Sequence, residues 1–390
     1  MVVERIVDRH PPFKRFSWRG ENEFRLLINA DQFVPVMLDI INNAKNYILF
    51  EMYLMESSPV ATRVIDALVN AAQRGIIIYI ILDDFGTRGL NQKDRARLKH
   101  NNIHIAFYNP LRWPNFRRYF FRDHRKLLLA DGKIAVTGSA GVTADNDPAN
   151  APEDNWRDTM VEIRGPILND WKVLFEGVWN NTTPGHLRLP DCAGPEKHFQ
   201  MYGRVIYSRP MRTNTINRSV LRHGLLARNT IWFVTAYFNP PGKIRRLLRR
   251  KAKNNVDVRI LLPGIISDHS SVWHFGHRHY SRLLKAGVRI FEYQPQFLHT
   301  KVVLCDDWCS IGSSNFDRWE LPRNLEANQE VADADFAMQV RAMLEQDFAA
   351  SHEIDYSNWT KRAWIVRLKE WFWSQVGRFF ESTRHDRDFD

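Results

Sequence analysis

Cysteine is scarce. The 390-residue chain has three, Cys192, Cys305 and Cys309. Their number is odd and no C-x-x-C pair occurs, which excludes a disulfide framework and points to a reducing compartment. Cys305 and Cys309 are close in sequence, yet no further Cys or His spacing completes a zinc pattern. Long apolar runs are missing too. No stretch approaches the ~18 apolar residues that a bilayer span requires, so any membrane contact is expected to be peripheral. Residues 1–20 are polar and basic and lack an apolar h-region, which excludes a secretory signal. No carboxylate cluster of the metal-site type is evident, so neither a metal nor another cofactor is expected. Acidic residues are in deficit, 44 Asp and Glu against 55 Lys and Arg, for a net charge of +11. That balance points to an anionic partner: nucleic acid, acidic lipid or a phosphorylated substrate.

What is present is a spacing that occurs twice. Asp123-His124-Arg125-Lys126-Leu127-Leu128-Leu129-Ala130-Asp131 and Leu298-His299-Thr300-Lys301-Val302-Val303-Leu304-Cys305-Asp306 both fit His-x-Lys-x4-Asp. An apolar run joins Lys to Asp in each, and Gly138-Ser139 and Gly312-Ser313 follow at similar distances. The surroundings repeat as well. Asn229 to Tyr237 echoes Asn46 to Tyr53, Val256 to Leu262 echoes Ile76 to Leu82, and Leu284 to Phe291 echoes Leu98 to Ile105. The chain therefore reads as a domain-sized internal duplication.

Helical periodicity over Phe33 to Ala44, with Asp31 as N-cap, precedes a buried strand from Tyr47 to Leu54 on which Glu51 and Tyr53 share a face. A helix over Val60 to Arg74 stops at Gly75, and a β-branched strand follows over Ile76 to Leu82. A helix over Lys93 to His100 and a strand over Ile103 to Tyr108 come next. Asp131-Gly132 predicts a hairpin between Lys126–Leu129 and Ile134–Thr137. Alternating strands and helices give an α/β fold of two pseudo-twofold-related halves, each with a mostly parallel β-sheet flanked by helices. The expected division is a basic segment over 1–22, a first half over 23–180, a Pro/Gly-containing linker over 181–203, a second half over 204–357 and a tail over 358–390.

On a strand, His at i and Lys at i+2 share a face. Pseudo-twofold packing would bring two His and two Lys into one pocket, where two ammonium groups favour a phosphoryl group. Two imidazoles suit metal-free phosphodiester chemistry. One attacks phosphorus to form a phosphohistidine, and the other protonates the leaving alcohol and then activates the incoming one. The lysines stabilise charge on the non-bridging oxygens. An attacking imidazole needs a carboxylate to fix its tautomer. The candidates are Asp158, 34 residues after His124, and Glu326, 27 residues after His299, each paired with the histidine of its own half.

With Gly312-Ser313-Ser314-Asn315 after the second motif, the doubled pattern resembles the phospholipase D superfamily over most of residues 24–350. Trp156-Arg157-Asp158 leading to Gly165-Pro166, and Asn324-Leu325-Glu326, make it most similar to bacterial cardiolipin synthases of the short type lacking N-terminal transmembrane helices. The resemblance implies a ping-pong transfer of a phosphatidyl group to phosphatidylglycerol, with His124, Lys126, His299 and Lys301 as the core. It implies His124 as the attacking residue, Asp131 and Asp306 as structural members of the motif, and Ser139, Ser313 and Asn315 as the lining of the phosphate site. The chain departs from relatives in having Gly141 where an Asn is usual.

The expected partners are phospholipids (phosphatidylglycerol, with phosphatidylethanolamine as another donor) and an anionic membrane surface, on the cytoplasmic side of the cell membrane. No nucleic acid is expected. The tail carries Trp359, Trp364, Trp371 and Trp373 among basic residues and resembles an interfacial amphipathic helix. Basic and aromatic residues also interleave from Arg112 to Arg122, which suits an anionic membrane or single-stranded nucleic acid. The alternatives are a phospholipase D-type hydrolase, a nucleic-acid phosphodiesterase and an inactive membrane-binding relative. The completeness of both His-x-Lys cores argues against the last.

Overall fold

Apolar runs, many of them rich in β-branched residues, form most of the strands. In the first half these are β1 (Arg19–Ile28), β2 (Tyr47–Met52), β3 (Ile77–Asp83), β4 (Ile103–Tyr108), β5 (Lys126–Ala130), β6 (Ile134–Gly138) and β7 (Thr159–Arg164). In the second half they are β8 (Met201–Arg209), β9 (Thr213–Asn214), β10 (Thr230–Val234), β11 (Phe238–Asn239), β12 (Asp257–Pro263), β13 (Arg289–Tyr293), β14 (Val302–Cys305), β15 (Trp308–Gly312), β16 (Phe316–Asp317), β17 (Glu326–Ala332) and β18 (Ser351–Glu353). The computed structural model describes residues 15–111, 119–192, 199–210, 213–264, 266, 276–317 and 323–362. Most of the Arg112–Arg122 stretch and all but the first residues of the Trp-rich tail lie outside the described residues.

The strand order states the duplication plainly. The first half runs β1-β7-β6-β5-β2-β3-β4 and the second β8-β17-β15-β14-β10-β12-β13, with β18 added at the far edge. β1 pairs with β8, so one sheet passes through both halves. The parallel character expected of each half is confined to three strands. β2, β3 and β4 are parallel, as are β10, β12 and β13, while the other pairings along these paths are antiparallel. The reason is connection length. Helices Pro59–Gln73 and Gln92–Arg97 supply the crossovers that parallel pairing needs, whereas three residues join β5 to β6.

Local chemistry sets the helix ends. Ser58 Oγ accepts from Ala61 N at 3.3 Å ahead of Pro59, and Gly75, at φ 92°, closes that helix in the left-handed region. The helix Asn29–Asn43 starts earlier than its periodicity predicts. Asp31 falls in its first turn instead of capping it, where it still complements the macrodipole, and Ile28 N is met by Gln32 Oε1 at 2.9 Å.

One apolar cluster joins the halves across one face of the sheet. Leu49, Leu127 and Val161 meet Val234, Val302 and Ile311 there, under helices Leu168–Thr182 and Ala334–Ala349. The opposite face is covered half by half. Helices Asn29–Asn43 and Pro59–Gln73 pack on the first, and helices Thr215–Leu226 and Gly242–Lys253 on the second.

The motif aspartates belong to this architecture. Asp131, at φ 55°, accepts backbone N–H groups of Lys45, Asn46 and Tyr47 at 2.7, 2.7 and 2.9 Å. Asp306, at φ 50°, does the same for Arg228, Asn229 and Thr230 at 2.7, 3.0 and 2.8 Å. Each pins the turn that leads into β2 or β10. Asp131 lies five residues beyond Lys126, roughly 17 Å along an extended strand, so it stands away from the histidine end.

Candidate active site

The two His-x-Lys segments are held by hydrogen bonds that cross between the halves. His124 N donates to Leu325 O at 2.9 Å and Leu325 N donates to Arg122 O at 2.8 Å. In the other direction, Arg157 N donates to Phe297 O at 2.8 Å, and His299 N and Thr300 N donate to Arg157 O at 2.9 and 3.0 Å. Each motif loop is thus stitched beside the carboxylate-bearing loop of the opposite half.

The consequence corrects the same-half pairing read from the spacing. His124 Nδ1 lies 3.0 Å from Glu326 Oε2, and His299 Nδ1 lies 2.8 Å from Asp158 Oδ2. Sequence distance does not show this, because the residue before each motif histidine pairs with the residue before the opposite half's carboxylate, Asp123 with Leu325 and Leu298 with Arg157. With Nδ1 held by a carboxylate, Nε2 is the nitrogen left to react. Both histidines are 7% exposed, while Asp158 and Glu326 are fully buried.

Ser139 and Ser313, expected to line a phosphate, instead face these carboxylates. Ser139 Oγ donates to Asp158 Oδ1, and Ser313 Oγ donates to Glu326 Oε2 at 2.5 Å. Thr159 N and Ala327 N in turn donate to the serine oxygens at 3.3 and 3.1 Å. A hydroxyl has one proton, and here it is given to a carboxylate. Lys126 and Lys301 are buried, and each Nζ donates to the carbonyl of its motif histidine at 2.6 Å. Asn315 is buried beside Ser313 and Ser314.

Gly141 also has a steric explanation. A Cβ there would stand 2.8 Å from Leu54 O and 3.1 Å from Leu54 Cβ. The backbone after β2 fills the space that a side chain would need. The first half therefore has no counterpart of the Asn315 amide at this position.

Burial alone would raise the Asp158 carboxyl. The charge and hydrogen bond of His299, with Lys301 and Ser139, outweigh it and hold the group below its ordinary value. Glu326 is lowered in the same way, burial being opposed by His124, Lys126 and Ser313. Burial and the Lys301 ammonium push the His299 imidazole down to about 4 against the pull of Asp158.

Several contributors carry little signal in the sequence. The Tyr53 ring meets His124 edge-on at 4.5 Å, and Lys126 Nζ lies 5.1 Å from the same ring. Strand alternation places Tyr53 on a face but says nothing of the histidine. Trp156 packs against His299 at 4.8 Å. Arg157, buried behind the site, forms a bidentate pair with Asp347 at 2.9 Å for both bonds. These residues are 190 positions apart, and no spacing rule links them. Asp83, at the end of β3, receives Asp123 N at 2.9 Å and so fixes the residue before His124. Burial raises the Asp83 carboxyl to about 6 against Arg122.

The family profile described as "Cardiolipin synthase, PLD-like domain" matches residues 37–179 and 225–348, the two halves that the sheet topology relates. The chain belongs to this family. Among relatives, cardiolipin synthase 1 of Bacillus cereus is 30% identical over 365 residues, covering 89% of this chain and 70% of that protein. Cardiolipin synthase A of Pseudomonas fluorescens is 30% identical over 349 residues, covering 88% and 72%. The fold is similar to that of phosphatidylserine synthase from Haemophilus influenzae, with a TM-score of 0.66 at 12% identity over 98% of both chains. Among the described residues no helix is long and apolar enough to cross a membrane.

Proposed function

We propose that this member of the family is a phosphatidyltransferase that makes cardiolipin through a covalent phosphohistidine, without a metal. The observation that carries the reading is the pair of crossed His–carboxylate hydrogen bonds, each with a lysine two residues on from the histidine. In the first step His124 Nε2 attacks the phosphorus of the donor phospholipid. The P–O bond to the head group breaks, and His299 gives its proton to the leaving alcohol oxygen. In the second step His299 takes the proton of an incoming phosphatidylglycerol hydroxyl. That oxygen attacks phosphorus, the P–N bond breaks, and His124 is regenerated.

Glu326 and Asp158 hold the two rings and stabilise their cationic forms, and Lys126 and Lys301 oppose charge on the non-bridging oxygens. Ser139 and Ser313 act as positioning residues through the carboxylates, and Asn315 is the side chain of this segment assigned to the phosphate. His299 is held neutral in the free protein, so its proton arrives with the substrate. The phosphodiester anion offsets Lys301 and raises the imidazole.

The proposed setting is the cytoplasmic face of the cell membrane, reached peripherally. The division into residues 23–180, 204–357 and a membrane-contacting tail over 358–390 is part of the same reading. Purified protein supplied with defined lipids in the presence of EDTA tests the function, with products identified by mass spectrometry. Cardiolipin from phosphatidylglycerol is expected, and adding phosphatidylethanolamine reads out the donor. Phosphatidic acid as the sole product would make the protein a hydrolase. Cleaved DNA with no lipid product would remove the lipid reading altogether.

A further inference from the structure

The internal duplication provides a control for surface charge. Helices Asn29–Asn43 and Pro59–Gln73 of the first half carry Asp31, Asp39 and Asp66 against a single basic residue, Arg63. Arg63 is itself paired with Asp147 at 2.6 Å. The helices in the same places of the second half read TINRSVLRHGLL and GKIRRLLRRKAK, with nine Lys and Arg and no Asp or Glu. The fold does not demand this charge, because the first half builds the same layer without it. Nor does apolar packing demand it: Ile244, Leu247 and Leu248 are the buried residues of the basic helix, and Lys243, Arg246, Arg250 and Lys253 are exposed.

The cations converge on a cavity. Arg245, Arg246, Arg249, His279 and Arg282 line a space of about 220 Å³ that, among the described residues, no acidic side chain borders. Arg245 Nη1 and Arg278 Nε each lie 3.1 Å from His279 Nε2, which makes that nitrogen an acceptor and fixes the cavity wall. Among the described residues, no ion pair engages Arg246, Arg249 or Arg282. The cavity lies at the active-site end of the second half. Helix Gly242–Lys253 begins just after β11, and β11 pairs with β16, which directly follows Asn315. Arg278 Nη2 also donates to Asn239 Oδ1 of β11 at 2.8 Å.

We infer that this cavity is a non-catalytic site for the phosphate head group of an anionic phospholipid in a bilayer, and that the basic helix layer around it docks the enzyme on such a surface. Charge complementarity supplies the attraction. Converging guanidinium groups suit a phosphate better than scattered lysines would. A bilayer is favoured over other anions by the neighbouring helix. Leu225 and Leu226 are 50% and 64% exposed at its end, and Lys251 Nζ donates to Leu225 O at 2.8 Å, so exposed apolar side chains flank the basic layer at its Lys251 end, away from the cavity. The inference rests on the phospholipid reading of the active site only for the choice of lipid.

The test uses the full chain and the triple variant Arg246→Ala, Arg249→Ala, Arg282→Ala. None of these residues belongs to the catalytic site. Sedimentation with vesicles of phosphatidylglycerol in phosphatidylcholine should show binding weakened more than tenfold at low salt, since each arginine near an anionic surface contributes about fivefold. Turnover of the soluble diester bis(p-nitrophenyl) phosphate should stay at the wild-type rate. If the triple variant is unfolded, single Arg246→Ala and Arg282→Ala proteins replace it, each expected to lose about fivefold. Vesicle binding within twofold of wild type overturns the inference. Two further arms reassign the ligand and overturn it as well: inorganic phosphate or a single-stranded oligonucleotide that loses affinity for the variant while vesicle binding is unchanged. A wild-type protein that binds the vesicles but makes no cardiolipin would remove the proposed function and leave this site standing.

Discussion

Crossed pairing makes a prediction that same-half pairing reverses. The perturbations are Glu326→Gln and Asp158→Asn, which keep shape and remove charge. Glu326 Oε2 is 3.0 Å from His124 Nδ1, and Asp158 Oδ2 is 2.8 Å from His299 Nδ1. At such distances and an effective dielectric of about 20, the attraction between carboxylate and imidazolium is about 5 kcal/mol. An amide oxygen still accepts the hydrogen bond and retains part of that, so about 3 kcal/mol is lost where an imidazolium forms, on the order of 100-fold in rate.

The assay is a rapid-quench burst with a p-nitrophenyl phosphodiester. Its leaving group departs without a proton, so the first step needs the nucleophile and not the acid. Peptide mapping of the trapped phosphohistidine identifies the attacking residue in the same experiment. The carboxylate whose loss slows the burst should come from the opposite half to the modified histidine. With the adduct on His124, Glu326→Gln slows the burst by about two orders of magnitude, and Asp158→Asn leaves it within a few-fold while slowing turnover of esters with alkyl leaving groups. A burst slowed by the carboxylate of the same half would refute the crossed arrangement, whichever histidine is modified.

Other expectations follow from single features. Gly141→Asn should lower the melting temperature by several degrees instead of restoring a phosphate contact, because its Cβ meets Leu54 O at 2.8 Å; calorimetry that shows unchanged stability with higher activity would contradict this. Asp131→Ala should cost about 3 kcal/mol in urea unfolding, through three lost backbone bonds and strain at positive φ, while kcat per folded molecule stays near wild type. His299 is lowered to about 4 in the folded protein, so between about pH 6.5 and 4 the unfolded chain binds more protons. Its stability contribution is present above pH 6.5 and lost as pH falls through about 4; His299→Gln should flatten that part of the unfolding profile. Binding of diethyl phosphate, which does not itself titrate near neutrality, should take up protons in wild type and not in His299→Gln, as read by calorimetry in buffers of different ionisation enthalpy.

Local patterns made much of this legible beforehand. The β-branched runs, Gly75 and the Asp131-Gly132 turn located strands and ends to within a few residues, because strand burial and left-handed turns are properties of short stretches. The repeated His-x-Lys-x4-Asp marks the candidate site, because two copies of one spacing meet in a twofold arrangement. Partner choice was not legible. Asp158 and Glu326 were identifiable as residues, but nothing local to either says which imidazole it will meet, since loop crossing is decided by the packing of the halves. Ser139 and Ser313 stand out by their place after each motif, but nothing local shows that their hydroxyls meet the carboxylates. The mixed sheet was hidden too, because a buried strand looks alike in parallel and antiparallel company. Gly141 was visible as a departure, and its cause, the backbone of Leu54, lies 87 residues earlier.

The continuous sheet through β1 and β8, with loops stitched both ways above it, has a consequence for how such a chain changes over time. Duplication usually releases one copy from constraint. Here each copy supplies the carboxylate that the other copy's histidine leans on, across separations of 202 and 141 residues. A neutral drift in one half is therefore felt as a defect in the other, and neither can decay into a passive scaffold while turnover is selected. Freedom remains only where the halves do not touch, on the outer helices, and it is there that one copy has turned basic and the other has not.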